Sequence, residues 1–286
     1  MNITDIALLS TTEVGMNWWQ ALILGIVEGL TEYLPVSSTG HLLVTEKLLG
    51  MNEGAAEKAF AVCVQGGAIL AVLGLYRQRV GEMIQGLLGK NPAGKKLLIN
   101  IIIAFLPAAI VGLTFSSKIK EHLFGITPVI IAWVVGGIAM LLFATKRFQD
   151  KEKGHGLESL TPQKALIVGA LQCVAMWPGT SRSLMTIIGG LVAGLTVSAA
   201  VEFSFLLGLI TLGAATCYDG YKFGGAMLQE FGVTPLIVGT IASWLSAWVA
   251  VKWMVTYLQS HSLSIFGWYR IAVGLIVAVL VFTQII

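Results

Sequence analysis

Charge is what this sequence has least of. Only 12% of its 286 residues are Asp, Glu, Lys or Arg, against about a quarter in soluble domains. Hydrophobic residues make up 56%, and mean hydropathy is +0.83. That balance excludes a soluble globular domain, and no nucleic-acid partner is expected. The formal charge of +3 says little until the basic residues are located along the chain. Cysteine is scarce as well. Cys63, Cys173 and Cys217 sit in apolar runs without CxxC or metal-like spacing, so they read as small buried hydrophobes and imply no disulfide framework. A basic start is missing too: the first 17 residues hold Asp5 and Glu13 but no Lys or Arg. A secretory signal needs a basic n-region, so no cleaved signal is read, and the chain is expected to enter the membrane through its own helices.

What is present is apolar sequence in span-length runs. These lie near residues 59–76, 97–116, 126–145, 198–217, 234–258 and 264–286, and about 20 residues suffice to cross the hydrocarbon core. Two further apolar regions, about 18–50 and 164–194, are each interrupted by a polar loop that leaves halves too short to span. Short, Pro/Gly-broken pairs of this kind predict re-entrant hairpins, whose irregular backbone is buried in protein or faces a watery cavity. The predicted fold is therefore an all-α integral membrane protein with six transmembrane helices and two re-entrant helical hairpins, forming a single membrane domain over 1–286.

Basic residues set the expected orientation. Arg77, Arg79, Lys90, Lys95 and Lys96 follow the first span, and Lys146, Arg147, Lys151, Lys153 and Lys164 follow the third. The intervening loop has only Lys118 and Lys120, and the loop near 218–233 only Lys222. Both basic segments are assigned to the cytoplasm, which puts both termini and the base of the first hairpin outside. Hairpin plus three spans then occurs twice, about 18–146 and about 164–286. Because three is odd, the second repeat is upside down. Aligning Pro35 with Pro178 places Ser38 on Ser181 and Phe60 on Phe203, whereas Gly25-x-x-Glu28 meets Gly169-x-x-Gln172 only after a one-residue gap.

The two interruptions carry the chemistry. They read EGLTEYLPVSSTGH, Glu28 to His41, and PGTSRSLMT, Pro178 to Thr186. A carboxylate or an arginine at membrane depth costs roughly 2.5–3.5 kcal/mol on insertion scales, so such residues are functional candidates by default. Glu28 and Glu32 share a helix face at a spacing of four, where like charges repel unless a cation, a proton or an arginine intervenes. Metal binding, proton handling and a backbone-bonded structural carboxylate all remain open for them. Pro35 ends the first half-helix. Ser37, Ser38 and Thr39 lie where the next half-helix is capped, and the N–H groups of such a helix start attract phosphate. Gly40 permits close backbone approach, and His41 is a candidate acid or base. In the second loop Thr180 and Ser181 can cap, and Arg182 offers a fork suited to phosphate or an ion pair to Glu28 or Glu32. Ser183 and Thr186 are supporting hydroxyls. Glu202 and Gln65 either line a cavity or pair internally. Arg270 and Lys252 are expected to snorkel to an interface, and His122, His155 and His261 to be solvated. Trp18, Trp19, Trp253 and Trp268 fit an interfacial aromatic belt.

These two motifs strongly resemble the signatures of bacterial undecaprenyl-diphosphate phosphatases of the bacitracin-resistance type, and length and hydropathy agree across essentially the whole chain. Tyr33, where many relatives have phenylalanine, is a conservative departure. The resemblance implies hydrolysis of undecaprenyl diphosphate to undecaprenyl phosphate, the lipid carrier of peptidoglycan precursors, in the bacterial inner membrane; the inverted topology predicts that the site opens outward. It implies dependence on a divalent cation, Mg²⁺ or Ca²⁺, held by the acidic pair Glu28 and Glu32. Carried over by motif position, Ser38 is the nucleophile, His41 the acid/base, Glu32 an acidic catalytic residue and Arg182 the phosphate clamp. Ser37, Thr39, Gly40, Ser181, Ser183 and Thr186 complete the phosphate site. Whether Ser37, Ser38 or water attacks is open, as is oligomeric state, a homodimer included. The rival reading is a transporter, because inverted repeats and broken helices also serve alternating access. A purely structural scaffold leaves the clustered polar residues without a purpose.

Overall fold

The computed structural model describes residues 16–51, 55–144 and 154–286. Within them the chain forms α1 (Trp18–Glu32), α2 (Ser38–Leu48), α3 (Ala55–Leu75), α4 (Arg77–Leu87), α5 (Pro92–Leu123), α6 (Ile126–Phe143), α7 (Pro162–Val174), α8 (Arg182–Val192), α9 (Val197–Phe231), α10 (Val233–Ser260) and α11 (Ser264–Phe282). A single 3₁₀ turn, Leu157–Ser159, precedes α7. Helices α5, α6, α9, α10 and α11 are long and apolar enough to cross a membrane, and α3 with α4 supplies a sixth span if the pair is counted as one. Each of the six predicted runs falls on a helix within the described residues, as the need to satisfy every backbone group internally requires in lipid. The protein is an all-α, multi-pass membrane protein.

The segment after the first span, read only as a basic stretch, folds into α4, which turns 80° from α3 and packs against α5. Its Arg79 bonds Glu202 at the start of α9 at 2.6 Å and Glu82 at 3.1 Å, while Lys96 reaches the Glu158 carbonyl at 2.6 Å. Glu202 thus belongs to an ion pair with Arg79. Lys146, Arg147, Lys151 and Lys153 lie outside the described residues, as do Asp5, Glu13 and the side chains of Lys118, Lys120 and His122.

Helix α9 runs through the middle: 56% of its most apolar stretch is buried, against 28% for α5 and α11. The outer helices present leucine, isoleucine and valine outward, Leu113 and Val249 among them. Cys217 shares that exposure, and Cys63 and Cys173 are only half-buried. The expectation that the cysteines are core residues therefore fails, because in lipid an apolar side chain gains nothing by facing inward.

Packing is exchanged between the two halves of the chain. Helix α1 packs most extensively on α10, and α7 on α5, while α3 pairs with α9 and α6 with α11. The α1–α10 approach depends on absent side chains: a Cβ on Gly29 would stand 2.2 Å from the Ser243 carbonyl oxygen. At the α7–α5 contact a Cβ on Gly169 would lie 2.5 Å from the Ala104 carbonyl oxygen.

Each interrupted region folds into a pair of packed half-helices, α1–α2 and α7–α8, and the two pairs differ in register from the proline-based alignment. The second half-helices are each 11 residues long and begin at Ser38 and Arg182. Their N-caps, Ser37 and Ser181, have φ of +74° and +78°. Ser181 thus corresponds to Ser37, and Arg182 to Ser38. The second loop carries one more residue between its proline and its cap, and that residue is what displaced the alignment.

Candidate active site

The end of α1 and the starts of α2 and α8 meet beside α9. Ser37 caps α2 by accepting from the Gly40 N–H at 3.5 Å, and Ser181 caps α8 by accepting from the Leu184 N–H at 3.3 Å. Positive φ at a residue with a Cβ costs of order 1–3 kcal/mol, and that cost turns each chain sharply into its next half-helix. The two loops are also bonded to each other. Ser183 donates to the Leu34 carbonyl at 2.9 Å and lies 3.0 Å from the Ser181 hydroxyl. Thr186 donates to the Arg182 carbonyl at 2.9 Å and meets the Ser204 hydroxyl of α9 at 2.6 Å.

At the centre, the Ser38 hydroxyl donates to Glu32 Oε2. Arg182 Nη2 donates to Glu32 Oε1 at 3.0 Å, and its Nη1 donates to the Ser204 carbonyl at 3.0 Å. The guanidinium lies 5.1 Å from the centre of the Tyr33 ring, within cation–π range, and a Cβ on Gly208 would stand 2.6 Å from Nη1. Glu28, Glu32, Tyr33 and Ser38 are all buried.

Three groups here have no hydrogen-bond partner: both carboxylate oxygens of Glu28, the Tyr33 hydroxyl and Arg182 Nε. They are neighbours, since Glu28 feels the charges of Glu32 and Arg182, and Tyr33 those of all three. Gln65 of α3 lies beside Glu28 as well. Buried polar groups are nearly always satisfied, so the Glu28 carboxylate and Arg182 Nε, left open in the same site, mark the place where a ligand completes the network. No cluster of three His, Cys, Asp or Glu side chains occurs among the described residues. A hard cation can nevertheless be held by one or two carboxylates together with phosphate oxygens of a substrate, and Glu28 beside Glu32 offers that donor set.

The structure joins Glu28, Glu32, Ser38 and Arg182, and separates His41 from them. His41 Nδ1 lies 2.7 Å from the Ser37 carbonyl and Nε2 lies 2.8 Å from the Tyr269 hydroxyl. Its ring stacks on Tyr269 and meets Trp133 edge-on. The carboxylate of Glu32, and not the imidazole, touches the Ser38 hydroxyl. Gly40 allows the close approach expected of it, but toward Trp133, whose ring would stand 2.5 Å from an added Cβ; Trp133 itself donates to the Val36 carbonyl at 2.8 Å. Thr39 is exposed at the start of α2.

Sequence reasoning missed Tyr269, Trp133, Ser204 and above all Arg270. Far from snorkelling, Arg270 is fully buried and bonded to three carbonyls. Its signal was available: an arginine in the middle of an apolar run. Lys252 is exposed, with its ammonium 5.2 Å from the Trp248 ring. His155 and His261 are exposed, and so are Trp18, Trp19, Trp253 and Trp268.

Residues 21–276 match the family described as bacitracin resistance protein BacA. Among similar proteins, an undecaprenyl-diphosphatase of Sorangium cellulosum is 44% identical over 92% of this chain and 86% of its own length. Undecaprenyl-diphosphatase 2 of Rhodospirillum rubrum is 45% identical over 90% of this chain and 93% of its own. Undecaprenyl-diphosphatase 1 of Chromobacterium violaceum is 46% identical, covering 91% and 94% respectively.

Proposed function

Because the chain belongs to the bacitracin resistance protein BacA family, we propose that it hydrolyses undecaprenyl diphosphate to undecaprenyl phosphate and inorganic phosphate. This reaction regenerates the carrier for peptidoglycan precursors and removes the lipid diphosphate that bacitracin sequesters. The observation that carries the reading on this chain is the cluster of open valences around Ser38: an arginine N–H without an acceptor, and a carboxylate without a donor. A diphosphate with a bound cation supplies what each lacks.

In the mechanism we infer, the terminal phosphate accepts from Arg182 Nε and from the N–H groups at the starts of α2 and α8. Ser38 Oγ attacks the terminal phosphorus as its proton passes to Glu32, to which it is already hydrogen-bonded. The bridging P–O bond breaks, and undecaprenyl phosphate leaves as a stable anion. Water then attacks the phosphoserine, Glu32 returns its proton to Ser38, and both hydrogens of the water leave with the phosphate, released as H₂PO₄⁻. Arg182 stabilises charge in both steps, the main demand of phosphoryl transfer. A divalent cation, Mg²⁺ or Ca²⁺, held by Glu28 and Glu32 would neutralise diphosphate charge. His41, tied at both nitrogens, anchors the start of α2.

Several features support a site opening to the outer face of the inner membrane. Arg77, Arg79, Lys90, Lys95 and Lys96 gather on and after α4, which the positive-inside bias assigns to the cytoplasm. The exchanged packing of α1 on α10 and α7 on α5, with matched caps at Ser37 and Ser181, supports two repeats of inverted topology.

Phosphate release from a polyprenyl diphosphate by purified protein in detergent tests the proposal. Cation-dependent release is expected, lost with chelator. Ser38→Ala is expected to fall to background and Arg182→Ala by about a thousandfold or more. In Glu28→Gln the cation concentration needed for half-maximal rate is expected to rise about tenfold or more. Full activity in folded Ser38→Ala would sink the covalent route, and no release by folded wild-type protein would sink the proposal.

A further inference from the structure

Arg270 lies one residue from Tyr269 on α11, away from the reacting groups. Its guanidinium is fully buried, yet its partners are three backbone carbonyls on three different segments. Nη1 donates to Pro35 at 3.2 Å, in the first hairpin's loop. Nη2 donates to Gly179 in the second hairpin's loop at 2.8 Å, and to Ala132 of α6 at 2.9 Å. Nε has no partner. The described ion pairs do not include this residue.

A buried guanidinium without a counter-ion is a costly way to fill space, and a methionine or leucine would fill it without that cost. What neither can do is bond rigidly to two loops at once. Room is kept for the fork: a Cβ on Gly136 would stand 2.3 Å from Nη2. Gly179 adopts φ +92°, a conformation that turns its peptide where other residues would be strained.

Two of the three bonded carbonyls sit close in sequence to the chemistry. Pro35 lies midway between Glu32 and Ser38, and Gly179 lies three residues before Arg182. We infer that Arg270 is a positioning residue that sets the relative register of the two hairpin loops, and through it the approach of Arg182 to Glu32 and Ser38. Touching no reacting atom, it acts through the backbone it holds. A misplacement of about 1 Å between reacting groups costs around a hundredfold in rate, so a small slip between hairpins is enough to be seen. The inference rests on the active-site reading above.

The test uses Arg270→Met, which removes the fork, and Gly136→Ala, which displaces it while keeping the charge. Folding is followed by thermal midpoint and monodispersity in detergent. The expected result is kcat lower by about a hundredfold with KM within about threefold, and partial recovery in Arg270→Lys. A readout independent of activity comes from spin labels at Leu48→Cys and Val174→Cys, one on each hairpin, in protein lacking its three native cysteines. The distance distribution is expected to shift or broaden in both variants. Unchanged distances overturn the inference whatever the rates. So does a kcat loss under about fivefold, a loss carried by KM alone, or failure of both variants to fold. Wild-type phosphate release in the same assay tests the phosphatase reading separately; if it were absent, the distances would still decide the role of Arg270.

Discussion

Ser38, Glu32 and His41 illustrate how far a few ångströms reassign chemistry. A histidine three residues from a serine is a natural candidate base, yet one turn of α2 carries His41 to Trp133 and Tyr269, and the carboxylate one loop earlier bonds the hydroxyl. General bases contribute about 10²–10⁴ in rate. Glu32→Gln is therefore expected to lose activity in that range, and His41→Ala by a smaller factor, measured as initial rates of phosphate release at saturating substrate. Equal losses would return the proton transfer to His41. Tyr33 makes a second test at this scale. Its ring supports Arg182 while its hydroxyl is buried without a partner, and an unsatisfied buried polar group costs about 1–3 kcal/mol. Tyr33→Phe keeps the ring and removes the hydroxyl. It is expected to raise the thermal midpoint and leave kcat within about twofold; a lower midpoint would mean that the hydroxyl is bonded in the working protein.

Each hairpin is a broken helix whose break is bent by one residue with unusual backbone geometry. Ser37 and Ser181 have positive φ and also cap the half-helix that follows. Alanine at position 37 would keep the strain and lose the cap, worth about 1 kcal/mol. Glycine would lose the cap and relieve the strain. Ser37→Gly is thus expected to be more stable than Ser37→Ala by about 1 kcal/mol or more, read from thermal or denaturant unfolding in detergent; the reverse order would show that the hydroxyl outweighs the backbone conformation. Sequence located these breaks, because proline, glycine and hydroxyls inside an apolar run admit few other readings. It did not supply their register, since proline can stand at two or three positions before a cap, and only the positions of the capping bonds distinguish them.

At the scale of the whole molecule, a water-soluble diphosphate must meet a tail that stays in lipid. A cavity of about 400 Å³ lies between α1, α10 and α11, lined by Leu30, Leu34, Val36, Val249 and Tyr269 among others. Its lining runs from Thr31 and Leu34, on either side of Glu32 in the chain, to Val249, Trp253 and Ile265, which are exposed, and a prenyl chain leaving the site sideways is expected to run through it. Each buried methylene contributes about 0.8 kcal/mol, so obstructing even two costs about tenfold in affinity. Val249→Trp is expected to raise KM for a long polyprenyl diphosphate by about tenfold or more and to leave KM for a five-carbon diphosphate nearly unchanged. Equal effects on both substrates would place the tail elsewhere.

Composition and hydropathy were enough to determine an all-helical membrane protein with span-length runs, because backbone in lipid must bond to itself. The two polar interruptions were enough to nominate the candidate site, because charge is costly at membrane depth and hydroxyls beside a proline mark a helix start. The structure brings Glu28, Glu32, Ser38 and Arg182 together there. Tertiary structure decided the rest: that Glu32 and not His41 adjoins Ser38, that Glu202 pairs with Arg79, and that Cys217 faces outward. It also decided the role of Arg270. A lone arginine in an apolar helix can reach for water or be buried as a clasp, and the choice depends on whether carbonyls from distant segments converge on it. Those carbonyls lie far away along the chain, and no pattern local to α11 encodes where they will be.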